Sequence, residues 1–162
     1  MSLAGIYHYV SGKDELLYLI QQRCFAAVLA GAQAAVAGGH GPHDRLERFI
    51  RHHVSFFASH MSEMKVLSHE ANSLGGARLA DINALKRRYV ELLRSLVADV
   101  EGSGTAEDPQ IAAYALFGMM NWIYTWYHPD GPTTPEALAD RFAQIFLTGV
   151  AAPSSSPAPQ GD

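Results

Sequence analysis

An all-α fold is predicted by three features of this 162-residue sequence. Apolar residues recur with the 3.6-residue helical period in one segment after another, and Gly38-Gly39, Gly75-Gly76 and Gly102-Ser103-Gly104 close those segments. No run is a credible strand. A hydrophobic content of 48% over the length of one domain lets the chain bury roughly two-thirds of its unfolded surface without a disulfide or metal staple. Cys24 is the lone cysteine and no signal peptide is read ahead of it, so a cytoplasmic protein with a free, packed thiol is expected.

In the first segment Leu3, Ile6, Tyr7 and Val10 fall at helical spacing, and Tyr7, His8 and Tyr9 crowd hydrogen-bonding rings together. Ser11, followed three residues later by Asp14, has the form of a capping box, so a long helix is expected from near Gly12. Its stripe is Leu16, Leu17, Ile20, Cys24, Ala27 and Val28, and it runs to Ala37. The second helix begins at Asp44, with Asp44–Arg48 and Glu47–Arg51 pairs at i,i+4 and an apolar side of Leu46, Phe49, Ile50, His53, Phe56 and Phe57, ending near His60. A third carries Met61, Met64, Leu67, Ala71 and Leu74. Methionines beside phenylalanines make an adaptable lining.

Ile82, Leu85, Tyr89, Leu92, Leu93, Leu96 and Val100 give the next stripe. Lys86, Arg87, Arg88 and Arg94 fall outside it and read as a solvated face. Asp108-Pro109 places a capping Asp and a first-turn Pro at the start of another helix. From Pro109 to Pro129 no residue carries a formal charge. Asn121 and the ring-rich end of that run point to a helix buried by protein on all sides rather than a membrane span. A last helix from about Thr134 to Gly149 shows Leu138, Phe142, Ile145 and Phe146 on one face. The Pro- and Ser-rich residues 151–162 read as a disordered tail.

The segment Ile6-Tyr7-His8-Tyr9-Val10, followed by Ser11-Gly12-Lys13-Asp14-Glu15-Leu16-Leu17, resembles the end of the DNA-binding domain of the TetR family of bacterial transcriptional regulators. Val10 departs from the usual Phe, and Gly12 is inserted before the lysine. Gly118, Met119, Asn121, Trp122, Trp126, Tyr127, Pro129 and Gly131 resemble the regulatory domain of a subgroup with members that respond to acyl-CoA thioesters. The resemblance implies that residues 1–12 are the remnant of a helix-turn-helix, its recognition helix, lacking the two helices before it, about 30 to 40 residues. It implies for residues 13–150 a regulatory, ligand-binding and dimerisation domain.

On that resemblance Leu3, Ala4, Gly5, Tyr7, His8 and Tyr9 face the major groove or its phosphates in the intact form, and Lys13 meets a phosphate at a helix N-terminus. A small apolar or acyl-CoA-like effector is expected among Phe49, His53, Phe57, Met61, Met64, Leu67, Tyr89, Met120, Asn121 and Tyr124, although ordinary core is the plain reading of any one of them. Tyr114, Trp122, Trp126, Leu138, Phe142, Ile145 and Phe146 are expected to pair two copies as a four-helix bundle, giving a homodimeric, ligand-responsive repressor on operator DNA.

Composition points the other way. Net charge is −4 and the first twelve residues hold neither Lys nor Arg, so the basic footprint of a nucleic-acid binder is missing. The alternative is a ligand-binding or dimerisation module without DNA-binding activity. No enzyme is read, since there is no nucleophile elbow, phosphate loop or placeable carboxylate pair. No cofactor, no metal site and no membrane partner are read. His53, His60 and His69 on neighbouring helices lack the spacing of a ligand set.

Overall fold

The computed structural model of the chain describes residues 12–69, 74–102 and 108–150, the side chains of 66–69 and 150 excepted. Among these residues every regular element is helical, as the sequence predicts. They are α1 (Lys13–Ala37), α2 (Pro42–Ser59), α3 (Met61–His69), α4 (Gly76–Glu101), α5 (Pro109–Asn121), a 3₁₀ turn (Trp122–Thr125) and α6 (Pro135–Val150).

Helix α2 is the axle. It packs against α6, α1 and α4, and its end touches α3, α5 and the 3₁₀ turn. The reason is its stripe: Leu46, Phe49, Ile50, His53, Val54, Phe57 and Ala58 are all buried, following i, i+3, i+4, i+7 over three turns. Leu46, Phe49 and Ile50 are wholly removed from solvent, each contributing roughly 1.5–3 kcal/mol of transfer free energy. Asp44 accepts from Arg48 Nε through both carboxylate oxygens at 3.0 Å, the pairing its spacing predicts. The Glu47–Arg51 pair is not what forms. Arg51 reaches across to Asp140 on α6 at 2.6 Å, because the close α2/α6 packing brings that carboxylate nearer than a turn of its own helix does.

The long helix α1 starts at Lys13 with Gly12 at its cap position, and Asp14 and Glu15 lie in its first turn, where the helix dipole favours them. Ser11 lies outside the described residues, as do Leu3, Ala4, Gly5, Tyr7, His8 and Tyr9 and the tail from 151. The buried stripe of α1 is Leu17, Gln21, Cys24, Val28, Leu29, Ala32 and Val36. It is rotated from expectation: Ala27 is exposed and Gln21 is buried.

Two cores result. The main one fills the space between α1, α2, α4, α5 and α6. A satellite of Leu17, Leu74 and Ile82, with Tyr18 and Leu79 against it, joins the amino ends of α1 and α4. Phe25 packs against both. The Tyr18 hydroxyl donates to Asp81 at 3.1 Å, and Arg78 lies 5.8 Å from the Tyr18 ring centre, fastening the satellite from outside.

Helix α4 ends at Gly102, whose φ of +77° is reached without strain only by glycine. Asp108 caps α5 as expected, accepting from Gln110 N–H at 2.9 Å. The uncharged run beyond it is not one buried helix. α5 stops at Asn121, the chain tightens into the 3₁₀ turn, and Ile111 (72%), Tyr114 (53%), Trp122 (62%) and Trp126 (47%) stand open to solvent. No helix among the described residues is long and apolar enough to cross a membrane.

Candidate ligand-binding cleft

Between α1, α2, α4 and α5 the side chains leave an inner lobe of about 240 Å³. Phe25 and Val28 come from α1, His53 and Phe57 from α2, Lys86, Tyr89 and Val90 from α4, and Tyr114, Phe117 and Asn121 from α5. A second lobe of about 280 Å³ shares Phe25, Phe57 and Asn121 with it and adds Met64, Gly118, Trp122 and Tyr124. The two form one cleft under the α5 C-terminus.

The space persists because its wall is made of rings too large to collapse. Tyr89 and Phe49 centre 5.0 Å apart, His53 and Phe57 4.5 Å, and Tyr89 and Phe117 5.7 Å. Planar side chains packed ring against ring cannot flow into a gap as a methionine would.

The polar centre is His53. Its Nδ1 lies 3.1 Å from the Tyr89 hydroxyl, and its Nε2 is buried with no hydrogen-bond partner. Among the described residues the Tyr89 hydroxyl has no other acceptor, so its O–H donates to Nδ1 and the ring proton sits on Nε2. Burial pushes the His53 pKa down to about 3, with the neighbouring His52 adding to the shift. Asn121 lies near enough to oppose it, yet outside hydrogen-bond geometry to Nε2. The result is a neutral imidazole on an apolar wall with an N–H unused. An orphaned buried donor costs about 1–3 kcal/mol, which an acceptor on a guest would return. Burial drives the Tyr89 pKa upward, so that ring stays protonated too.

Lys86 closes the mouth. Its Nζ lies 5.0 Å from the centre of the Phe25 ring, and partial burial lowers its pKa.

Of the expected ligand residues, His53, Phe57, Tyr89 and Asn121 line the inner lobe, and Met64 and Tyr124 the outer. Phe49 and Met120 stand behind the wall, wholly buried in the core, and Met61 lies outside both lobes. The Leu67 side chain is outside the described ones. Of the expected pairing residues, Tyr114, Trp122, Trp126 and Ile145 are exposed, while Leu138, Phe142 and Phe146 are buried in this chain's own core. Lys13 is exposed at the start of α1.

Phe25, Lys86 and Phe117 line the cleft without being expected there from the sequence. Lys86 and Phe117 carried a usable signal, lying one helical turn from Tyr89 and Asn121 respectively.

On the other side of α1 lies a separate cavity of about 340 Å³ beside Cys24, His60 and Glu63. Burial, with Glu63, pushes the Cys24 thiol up to about 11, so it is no nucleophile at neutral pH. Among the described residues no three His, Cys, Asp or Glu side chains converge on a metal position.

Residues 39–150 match the family described as Tetracyclin repressor-like, C-terminal domain. Among solved structures the chain is similar to the TetR family transcriptional regulator PfmR from Thermus thermophilus, with 28% identity and a TM-score of 0.80, over 91% of this chain and 82% of that one. It is 31% identical to AibR, solved in complex with isovaleryl coenzyme A and operator DNA, with a TM-score of 0.75 over 90% of this chain and 80% of that one. A TetR-family regulator from Bordetella parapertussis shares the fold at a TM-score of 0.83 and 24% identity, over 90% of this chain and 77% of that one. No curated protein sequence matches.

Proposed function

We propose that this chain, which belongs to the TetR family of transcriptional regulators, is a ligand-responsive repressor that acts as a cytoplasmic homodimer on operator DNA. The observation that carries the ligand half is the unused Nε2–H of His53, wholly buried on the wall of an apolar cleft. A core evolved only for stability has no use for it. The effector is a small apolar molecule with one acceptor oxygen, of the acyl-CoA or lipid-derived kind; the isovaleryl coenzyme A in the similar AibR supports this class.

Pairing is assigned to the exposed apolar face of Ile111, Tyr114, Trp122, Trp126 and Ile145. Leu138, Phe142 and Phe146, also expected there, are buried in this chain's own core. Five large apolar side chains left exposed on the last two helices and the turn between them are the kind of surface that a second copy covers. DNA contact is assigned to Leu3, Ala4, Gly5, Tyr7, His8, Tyr9 and Lys13. Helix α1 joins the two ends: Lys13 begins it, and Phe25 and Val28 line the cleft. An effector pressing on Phe25 shifts the population of α1 tilts by as much as it prefers one tilt over the other.

The test is a thermal-shift screen of the purified chain with acyl-CoAs, fatty acids and sterol fragments. At least one class is expected to raise Tm, since a ligand at a hundred times its Kd adds about 2.7 kcal/mol. A screen in which none does, or in which the His53→Leu variant responds as the wild type does, refutes the reading.

A further inference from the structure

We infer that the cavity between α1, α2 and α3 is a second binding site, separate from the cleft, and that it takes a free amino acid with an apolar side chain. It shares no wall residue with either lobe of the cleft and is independent of the effector reading.

One stripe of α1 builds half of it. Ile20, Arg23, Cys24 and Ala27 follow i, i+3, i+4, i+7, while Phe25 and Val28, which line the cleft, fall about a third of a turn round the same helix. Phe56 and His60 meet that stripe from the end of α2, and Glu63 from the first turn of α3. The space is about 340 Å³, within the roughly 300–1,000 Å³ of whole-ligand sites.

Its wall is apolar in one part and charged in another. Ile20, Ala27 and the Phe56 ring offer apolar surface, and the Cys24 thiol, kept protonated by burial and by Glu63, adds to it. Against these stand two opposite charges that nothing neutralises. Among the described residues neither the Arg23 nor the Glu63 side chain makes a hydrogen bond or ion pair, with the other or with a third residue.

His60 adds an acceptor. Its Nδ1 lies 2.7 Å from the Phe56 carbonyl, which can only accept, and 3.1 Å from the Ser59 hydroxyl, whose own proton goes to the Ser55 or Phe56 carbonyl at 2.9 Å. The ring proton is therefore on Nδ1. In the neutral ring Nε2 keeps its lone pair, with no partner among the described residues.

These groups select a zwitterion. An ammonium is met by Glu63 and the His60 lone pair, and a carboxylate by the Arg23 guanidinium, which holds carboxylates through paired hydrogen bonds. An amine without the carboxylate would have Arg23 beside it as a like charge, and a carboxylate without the amine would meet Glu63 in the same way. The Phe56 and His60 rings, 4.3 Å apart and 13° from parallel, form a flat apolar platform that suits an aromatic side chain.

The experiment pairs calorimetric titration with timed iodoacetamide labelling of Cys24, the one cysteine of the chain, at about pH 8. The probe is L-phenylalanine, and phenethylamine and 3-phenylpropanoate each lack one of its charges. Phenylalanine at roughly ten times its Kd should slow labelling roughly tenfold, and each control should bind at least about tenfold more weakly. Arg23→Gln, at an exposed position, and Glu63→Gln should each keep the wild-type Tm and weaken phenylalanine at least about tenfold. His53→Leu, altered in the cleft and compared below its Tm, should bind phenylalanine as wild type does. The inference is overturned if phenylalanine does not bind, if it binds and leaves Cys24 labelling unchanged, if either control binds equally well, or if both Gln variants bind undiminished. Loss of binding in His53→Leu would put the amino acid in the cleft and overturn it too, while the effector reading rests on its own screen.

Discussion

His53 Nδ1 and the Tyr89 hydroxyl lie 3.1 Å apart across the α2/α4 interface, and this bond occupies one ring nitrogen while the other, Nε2, is buried without a partner. Tyr89→Phe should therefore leave both ring nitrogens unsatisfied and cost about 1–3 kcal/mol. His53→Leu should also destabilise, by orphaning the hydroxyl. The double variant should lose less than the sum of the two, a coupling of about 0.5–3 kcal/mol readable by urea denaturation. Additive losses would show that the bond is not made.

Acid should destabilise this core before it touches the carboxylates. The His53 pKa is lowered on folding from 6.5 to about 3, so below pH 6.5 the unfolded chain takes up a proton that the folded chain refuses. Stability is full above pH 6.5 and is lost as pH falls toward 3, by on the order of 4 kcal/mol over that range. His52, also lowered by burial, adds to the same slope. Asp44 and Glu91, whose pKa values are lowered too, act below about pH 4. Unfolding free energy measured between about pH 6.5 and about pH 4.5 should fall in the wild type and fall markedly less in His53→Leu.

Gly31 on α1 lies directly against the His52 ring of α2. A Cβ there would lie 2.3 Å from His52 Cε1 and 2.8 Å from its Nε2, the nitrogen that donates to the Val28 carbonyl. Gly31→Ala should gain about 1 kcal/mol of helix propensity and lose about 1–3 kcal/mol to overpacking and the displaced ring, a net loss. In a His52→Ala background the same substitution should become stabilising. Thermal denaturation of the four proteins reads the change of sign.

The exposed apolar face gives a prediction about assembly. Trp122→Glu/Ile145→Glu places two charges where Trp122 (62% exposed) and Ile145 (48% exposed) offer area to a second copy. Analytical ultracentrifugation should show wild type as a dimer and the variant as a folded monomer. A monomeric wild type would remove the pairing surface from the proposal.

The fold was legible because its signals are local. The Asp108-Pro109 start, the Gly38-Gly39 and Gly102 stops and the α2 stripe each act within a few residues, and each is where the sequence puts it. Gly75-Gly76, expected to close the third helix, instead leads into α4, whose first residue is Gly76, while α3 ends at His69. The cleft was legible only in part. His53, Phe57 and Tyr89 stand out because they lie on strong stripes. Phe25 does not, because an alanine-rich helix offers no sharp face against which to place it. Lys86 is hidden because a charged residue in a basic run reads as solvated, although its stem covers the Phe25 ring. The partner of Arg51 differs from expectation because nothing in the order of residues says that α6 will pack closer than the next turn. Exposure of Trp122 and Trp126 is equally hidden, because an uncharged run cannot distinguish a face covered by its own chain from one left open.

The most direct measurement is a titration of ¹⁵N-histidine-labelled protein with isovaleryl-CoA, following the ring nitrogens of His53. Before ligand the ring should be neutral, protonated on Nε2, and unchanged from about pH 7 to about pH 4.5. With ligand the Nε2 resonance should move as its N–H gains an acceptor, while Nδ1 stays with Tyr89. A bound ligand that leaves both nitrogens unmoved would contradict the placement of the effector site at His53.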